Sequence, residues 1–387
     1  MNKNIIKVIS GIRRCGKSTI LQQIIQDLKA EGIKDENIIL INFELKRYFN
    51  IKTITELDDL INNLIKNKSE KNYLFFDEIQ EVENWEKLIN SYLAEENYDI
   101  YITGSNAKLL SGELSTYLTG RFVEIRIYPF SFLEFLDYKK IDYKRYDNEE
   151  IFNEYLKYGG MPLALEFPEN EKIQYLTDLY NSIILKDIVK RNEIRDIDLL
   201  DRILRFIMAN IGQLFSANSI VKYLKKDKVN LSVNTIYNYL SYMEEACLIN
   251  KVKKEDLVGK KILSHSEKFY LVDLGFREAI YGNNEKDIGQ SLENIVYIEL
   301  LRRGYNVTVG KFRTKELDFV CKKGEEIIYI QVSYILAEKT TIEREFEPLL
   351  KIHDNYPKYV ITMDRVDRSQ EGIKHINMIN FLTENEI

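Results

Sequence analysis

A parallel α/β fold in the first third of the chain, followed by helical and mixed α/β segments, is what this sequence predicts. Three observations carry that expectation. A β-branched run at residues 5–10 leads into a glycine loop, and an amphipathic helical pattern follows at once. A second apolar run, residues 73–76, ends in the adjacent acids Asp77 and Glu78. Short apolar runs alternate with helical patterns, as they do in βαβ units.

The glycine loop reads Gly11, Ile12, Arg13, Arg14, Cys15, Gly16, Lys17, Ser18, Thr19. Its spacing, G-x-x-x-x-G-K-S between a strand and a helix, is that of a phosphate cradle. The glycines let backbone N–H groups converge on phosphate oxygens, and the helix start adds positive potential. Lys17 is expected to reach the β- and γ-phosphates, and Ser18 to ligate Mg²⁺. ATP and Mg²⁺ are therefore the expected ligands. The helix places Ile20, Leu21, Ile24, Ile25 and Leu28 on one face.

Strands are expected near residues 5–10, 38–43, 73–76, 98–103 and 122–127, within a first domain of residues 1–128. Asp77 closes the third strand, at the sheet edge where open α/β sheets bind ligands. It would hold Mg²⁺, with Glu78 as general base toward the attacking water. Trp85, Leu88, Ile89, Tyr92 and Leu93 form one helical stripe of core residues. The strand at 98–103 ends in Thr103, Ser105 and Asn106, read as γ-phosphate sensors or as an ordinary turn. Arg121, just before the last strand, is a finger for transition-state charge or a surface arginine.

Residues 129–186 read as a helical, aromatic tract broken by Gly159, Gly160 and Pro162. In residues 187–284, a helix near 199–211 precedes two capped helices, with Ser216 or Asn218 and then Ser232 as caps. Two strands around a Gly- and Lys-containing loop follow. Three helices and a hairpin make a winged helix-turn-helix. Nine lysines against five acids between residues 216 and 262 leave a local excess of four positive charges. That suits non-specific DNA contact. The third helix exposes Asn234, Tyr237, Asn238 and Ser241 rather than arginine, which argues against guanine readout. Packing domains together is the alternative role.

Several of these blocks resemble a family of AAA-type ATPases of archaea and anaerobic bacteria that carry a C-terminal domain of unknown function. The matching stretches are "SGIRRCGKST", "FFDEIQ", "TGSNAKLLSGELSTYLTGRF", "YLKYGGMPLAL", "KFYLVDLGFR", "LENIVYIELLRRGYNV" and "ELDFVCKK". The resemblance covers essentially the whole chain. It implies that the polar residues after the fourth strand sense γ-phosphate and that residues 129–186 are a small helical lid that packs on nucleotide. Family members often carry a further N-terminal segment, absent here, which is expected to leave the adenine side less enclosed.

Residues 285–387, with a helix starting near Glu293 and then three strands, resemble the PD-(D/E)XK nuclease fold. Glu293 and Asp318 match its acids, and Glu316 shares a strand face with Asp318. Gln331 stands where the second acid belongs and Ser333 where the lysine belongs. Losing both weakens metal binding and water activation, so this unit is read as a degenerate nuclease retained for binding. Lys311, Lys315 and Lys322 are alternative lysine donors.

Composition limits the other classes. Of 387 residues, 45% are hydrophobic and 30% charged, ordinary for a globular protein. The net charge of -6 requires a local basic face for any nucleic acid. Cys15, Cys247 and Cys321, and the scattered His265, His353 and His375, fit neither a disulfide framework nor a zinc site. No apolar run approaches the ~18 residues of a membrane span, and "IIKVIS" is too short for a leader. A cytoplasmic ATPase switch or motor is the leading expectation, acting on DNA or a protein client, with homo-oligomers if Arg121 works in trans. An ATP-regulated nuclease and a non-catalytic ATP-binding interaction module are the rivals.

Overall fold

The computed structural model describes residues 5–105, 120–142, 149–225, 231–259, 261–282 and 287–384, with the side chains of 263–266 excepted. Asn106, Lys226, Lys228 and Lys260 lie outside the described residues. The chain forms two compact units, Met1–Tyr128 with Glu245–Cys247, and Pro129–Glu244 with Leu248–Ile387.

In the first unit, strands β1 (Ile6–Ser10), β2 (Ile38–Asn42), β3 (Asn72–Asp77), β4 (Tyr98–Gly104) and β5 (Phe122–Arg126) form one sheet in the order β2-β3-β4-β1-β5. Every pairing is parallel. Strands β1, β3 and β4 are buried along their full length, as a sheet covered on both faces requires. Strand alternation then sorts side chains between two cores. Ile6, Val8, Leu74, Phe76, Ile100 and Ile102 face helices α2 (Ile54–Leu64) and α3 (Trp85–Ala94), through Leu57, Ile61, Trp85 and Ile89. Ile9, Phe75 and Tyr101 face α1 (Lys17–Ala30) through Leu21. Helix α2 starts at a full capping box, Thr53 with Glu56. Lys7 interrupts the apolar pattern of β1. It is 2% exposed, ion-pairs with Asp99 of β4, and lies over the Tyr101 ring.

The second unit opens with helices α4 (Phe132–Tyr138), α5 (Glu149–Tyr158) and α6 (Glu169–Ser182). The last runs into a π-helical segment, Ile183–Val189. Phe132, Phe135, Phe152 and Tyr155 pack ring against ring between α4 and α5. Helices α7 (Ile197–Ala209), α8 (Ala217–Lys225) and α9 (Val233–Glu245) precede the hairpin β6 (Ile249–Asp256) and β7 (Lys261–Leu271). Asp196 caps α7. The Ser216 and Ser232 hydroxyls accept from the first-turn amides of Ser219 and Thr235, so Ser216 rather than Asn218 is the α8 cap. Helix α10 (Leu274–Ile280) links the hairpin to α11 (Ile288–Arg302). Glu293 therefore sits in the second turn of its helix, not at its start, because the helix begins at Ile288.

Strands β8 (Asn306–Phe312), β9 (Lys315–Lys323) and β10 (Glu326–Val332) are followed by α12 (Lys339–Leu350), β11 (Lys358–Thr362), β12 (Lys374–Asn377) and α13 (Met378–Thr383). The hairpin does not stand apart from these strands. The outer end of β6 pairs in parallel with β8, at Lys254 with Val309 and Asp256 with Lys311. One sheet results, ordered β12-β11-β10-β9-β8-β6-β7. Among the described residues, no helix is long and apolar enough to cross a membrane.

Candidate functional site

The glycine loop leaves the C-terminal end of β1 beside β4 and β5, where the chain path of the sheet reverses. Gly11 has φ +151, and a Cβ there would lie 2.3 Å from the Ile127 carbonyl oxygen. Gly16 has φ +106, and a Cβ there would meet nothing within 4 Å. Gly11 is thus demanded by packing, and Gly16 by backbone conformation beside open space. Gly16 also stands at the start of α1, with no side-chain cap on the first-turn amides. Amides at such an uncapped helix start suit an anion.

Lys17 is 4% exposed. Its Nζ donates to the carbonyl oxygens of Gly11 and Ile12, both at 3.1 Å, and lies 3.8 Å from Glu78 Oε1. The Ser18 hydroxyl hydrogen-bonds the Asp77 carboxylate. Arg13, Arg14, Gly16 through Thr19, Glu44 and Glu78 line one open cleft. Arg13 pairs with Glu44 at 3.0 Å beside it. Cys15 faces inward instead. It is 3% exposed, with its thiol 3.6 Å from the Ile127 carbonyl oxygen, and burial pushes the thiol above its ordinary pKa.

The acids at the end of β3 are held from both neighbouring strands. Asn42, at the end of β2, donates to Asp77 Oδ2 at 2.8 Å. Thr103, in β4, donates to Asp77 Oδ1 at 2.5 Å and accepts the Glu78 amide at 3.0 Å. Burial pushes the Asp77 carboxyl above its usual range, opposed by the Thr103 and Ser18 hydroxyls. Glu78 takes the left-handed conformation, φ +58, a strained position for a side-chain-bearing residue. Its carboxylate accepts from Ser105 at 3.3 Å and from the Gln80 side chain.

The structure therefore gathers Lys17, Ser18, Asp77, Glu78, Thr103 and Ser105. Thr103 is fully buried, with its hydroxyl shared between the Asp77 carboxylate and the Glu78 amide. Arg121 is not brought to them. Its carbonyl accepts from the Ile6 amide at the opposite end of β1. β1 is five residues long, about 16 Å at ~3.3 Å per residue. The Arg121 guanidinium is exposed and donates to Asn90 at 2.9 Å. Within one chain it does not reach the loop. Asn42 escaped the sequence reading because nothing local marks a strand-end asparagine as a carboxylate partner.

A second polar cluster lies in the second unit. Glu293, Glu316 and Asp318 converge, and Gln331 joins them. Its Oε1 accepts the Asp318 amide at 2.8 Å, and its Nε2 donates to Glu345 at 3.0 Å. Ser333 is only 8% exposed, and its amide donates to the Ile361 carbonyl. The lysine at the centre is none of those expected. Lys315 pairs with Glu347 and Lys322 with Glu255. Lys268 of β7, 3% exposed, lies 2.7 Å from Glu293, 3.0 Å from Glu316 and 3.5 Å from Asp318. Burial alone would lower its pKa, but the three carboxylates outweigh that and keep it charged. Asp318, the most distant of the three acids, is pushed up to about 8 by burial and by Glu293.

A third arrangement explains Gly159 and Gly160. Asp273 accepts the Gly160 amide at 2.7 Å and the Gly275 amide at 2.8 Å. A Cβ on Gly159 would stand 1.8 Å from Asp273 Oδ1. Burial pushes Asp273 up to about 6.

Comparison with known proteins adds the following. An AAA domain model matches residues 3–136, and a domain of unknown function, DUF8612, matches 149–287. The chain is 42% identical over 380 residues to an uncharacterized protein of Haemophilus influenzae, covering 98% of this chain and 94% of that one. It is 37% identical to uncharacterized protein MJ1544 of Methanocaldococcus jannaschii, with 97% and 85% covered. Among solved structures, Cdc6p from Pyrobaculum aerophilum aligns with TM-score 0.30 and 12% identity, over 68% of this chain and 83% of that one. The Aeropyrum pernix ORC1 protein, solved in complex with DNA, aligns with TM-score 0.30 and 11% identity, over 71% and 86%. Scores that low lend no weight to either likeness.

Proposed function

This chain belongs to one family with the Haemophilus influenzae and MJ1544 proteins and carries an AAA domain, and from that premise we propose that it binds and hydrolyses ATP as a nucleotide-driven switch. The observation that carries the reading is the Ser18 hydroxyl on the Asp77 carboxylate, with Lys17 and Glu78 beside them. Two oxygen donors side by side at the mouth of a glycine loop suit a hard divalent cation. Ser18 and Asp77 would hold Mg²⁺, which supplies charge neutralisation on the phosphates when bound.

The chain's own groups do the rest. The loop amides and Lys17 bind the phosphates. Lys17 exchanges its two carbonyl partners for phosphate oxygens. Glu78, fixed by Ser105 and by the Thr103–amide bond, takes a proton from the attacking water. Arg121 supports turnover only from a neighbouring copy, since its own loop lies at the far end of β1.

For the second unit the reading is a winged helix fused to a nuclease-like sheet, acting on DNA without sequence readout. Lys222, Lys225, Lys253 and Lys261 are exposed on helix α8 and the hairpin, which suits phosphate contact. Lys251 and Lys254 are engaged internally, with Glu244 and Glu267 and with Glu316. Nucleotide state reaches this unit only if ATP and ADP forms bind DNA with different affinity.

The test is steady-state ATP turnover with and without duplex DNA, for wild type, Lys17→Ala and Glu78→Gln. Lys17→Ala should lose nucleotide binding. Glu78→Gln should keep it and lose about 10²–10⁴ in turnover. Full turnover in Lys17→Ala would refute the assignment of the loop.

A further inference from the structure

The acid cluster of the second unit contains its own cation. Three carboxylates from two elements, Glu293 of α11 and Glu316 and Asp318 of β9, surround the Lys268 ammonium within 3.5 Å. Lys268 comes from β7, three strand positions from β9 in the sheet order. In a flat sheet that is about 14 Å. Helix α11 packs on β7, β8, β9 and β10, so it borders both the strand that carries the lysine and the strand that carries two of the acids.

The cluster's remaining polar capacity is also engaged from within. The Tyr270 hydroxyl donates to Glu293 at 2.5 Å. Lys254 donates to Glu316 at 2.7 Å, and the Val332 amide donates to Asp318 at 3.0 Å. Gln331, where a further acid would strengthen a metal site, instead ties the Asp318 amide to Glu345. Among the described residues, no group of three or more His, Cys, Asp or Glu is arranged to hold a metal ion.

We propose that Lys268 is the resident cation of this cluster, filling the place between Glu293, Glu316 and Asp318 that a divalent metal would need. The ammonium ties the hairpin to α11 and β9, and it excludes metal. Two cations in one such pocket repel at contact distance, and displacing Lys268 would leave a lysine 3% exposed without a partner. This inference rests on the second unit alone and stands apart from the nucleotide reading.

The probe is Mn²⁺, titrated into nucleotide-free full-length protein and followed by the EPR signal of the free ion. Wild type and Asp318→Asn should give superimposable curves, since any ion held elsewhere is common to both. Mn²⁺ uptake by wild type that Asp318→Asn abolishes would overturn the proposal. This comparison needs no change at Lys268. In Lys268→Met, Mn²⁺ should bind at least tenfold more tightly than in wild type. Adding Asp318→Asn to that variant should remove the gain. Mn²⁺ should also raise the melting temperature of Lys268→Met by more than it raises that of wild type. A folded Lys268→Met with no gain in Mn²⁺ binding would equally overturn it.

Discussion

Thr103→Val keeps shape and removes one hydroxyl, at the point where β4 holds both acids of β3. Thr103 is fully buried, so water does not replace what is lost. The hydroxyl donates to the Asp77 carboxylate and accepts the Glu78 amide. A hydrogen bond to a charged group contributes about 1.5–3 kcal/mol, and an orphaned buried amide costs about 1–3 kcal/mol. Together they predict a loss of about 4 kcal/mol of stability in the first unit, read from urea unfolding. Thr103→Ser keeps the hydroxyl and gives up one methyl, for about 1 kcal/mol. Turnover should fall further than stability explains. Glu78 is held in a left-handed conformation partly by this bond, and a shift of about 1 Å in a reacting group costs on the order of 10²-fold. Fluorescent ATP-analogue binding should stay near wild type, because Lys17 and the loop amides are untouched. If Thr103→Val unfolds within about 0.5 kcal/mol of wild type and turns over ATP normally, the bridge has been misread.

Three further outcomes are expected. Lys7→Met leaves Asp99 buried without its counter-charge, at a cost of about 3–5 kcal/mol in the first unit; adding Asp99→Asn should recover part of it, and additive losses in urea unfolding would contradict the pairing. Asp273 has a folded pKa of about 6, above the ~3.9 of an unfolded aspartate. Its ionisation therefore opposes folding, with no penalty below about pH 4 and a full penalty above about pH 6, worth about 3 kcal/mol in all. Unfolding midpoints measured from pH 4 to 7.5 should carry that loss in wild type and lack it in Asp273→Asn. Arg121→Ala should lower ATP turnover only at protein concentrations where copies associate, with no effect at high dilution; an equal loss at all concentrations would contradict action from a neighbouring chain.

Much of the first unit was legible because its signals are local. β-branched runs bounded by turns located five strands to within a residue or two, and the helical stripe at Trp85 is a helix over Trp85–Ala94. The loop was legible because glycine spacing is a statement about backbone conformation, and Gly16 does take φ +106. The cap at Ser232 was legible for the same reason. The Lys7 side chain was not, since a lysine in a strand pattern looks like an exposed position until Asp99 is placed beside it. The lysine partner of the C-terminal acids was sought at Lys311, Lys315 and Lys322, near in sequence, and it came from Lys268.

Period, propensity and spacing thus determined the strands of the first unit, its parallel sheet and the loop, because each is written within a few residues of chain, whereas α12, β11, β12 and α13 went unread. The tertiary path alone decided which charges meet. Asp99 lies 92 residues from Lys7, Asp273 lies 113 from Gly160, and Lys268 of β7 meets Glu293 and the β9 acids only in the assembled sheet and the helix packed on it. A buried charge needs a partner within a few ångströms, and strand order and helix packing set that distance where local pattern has no reach.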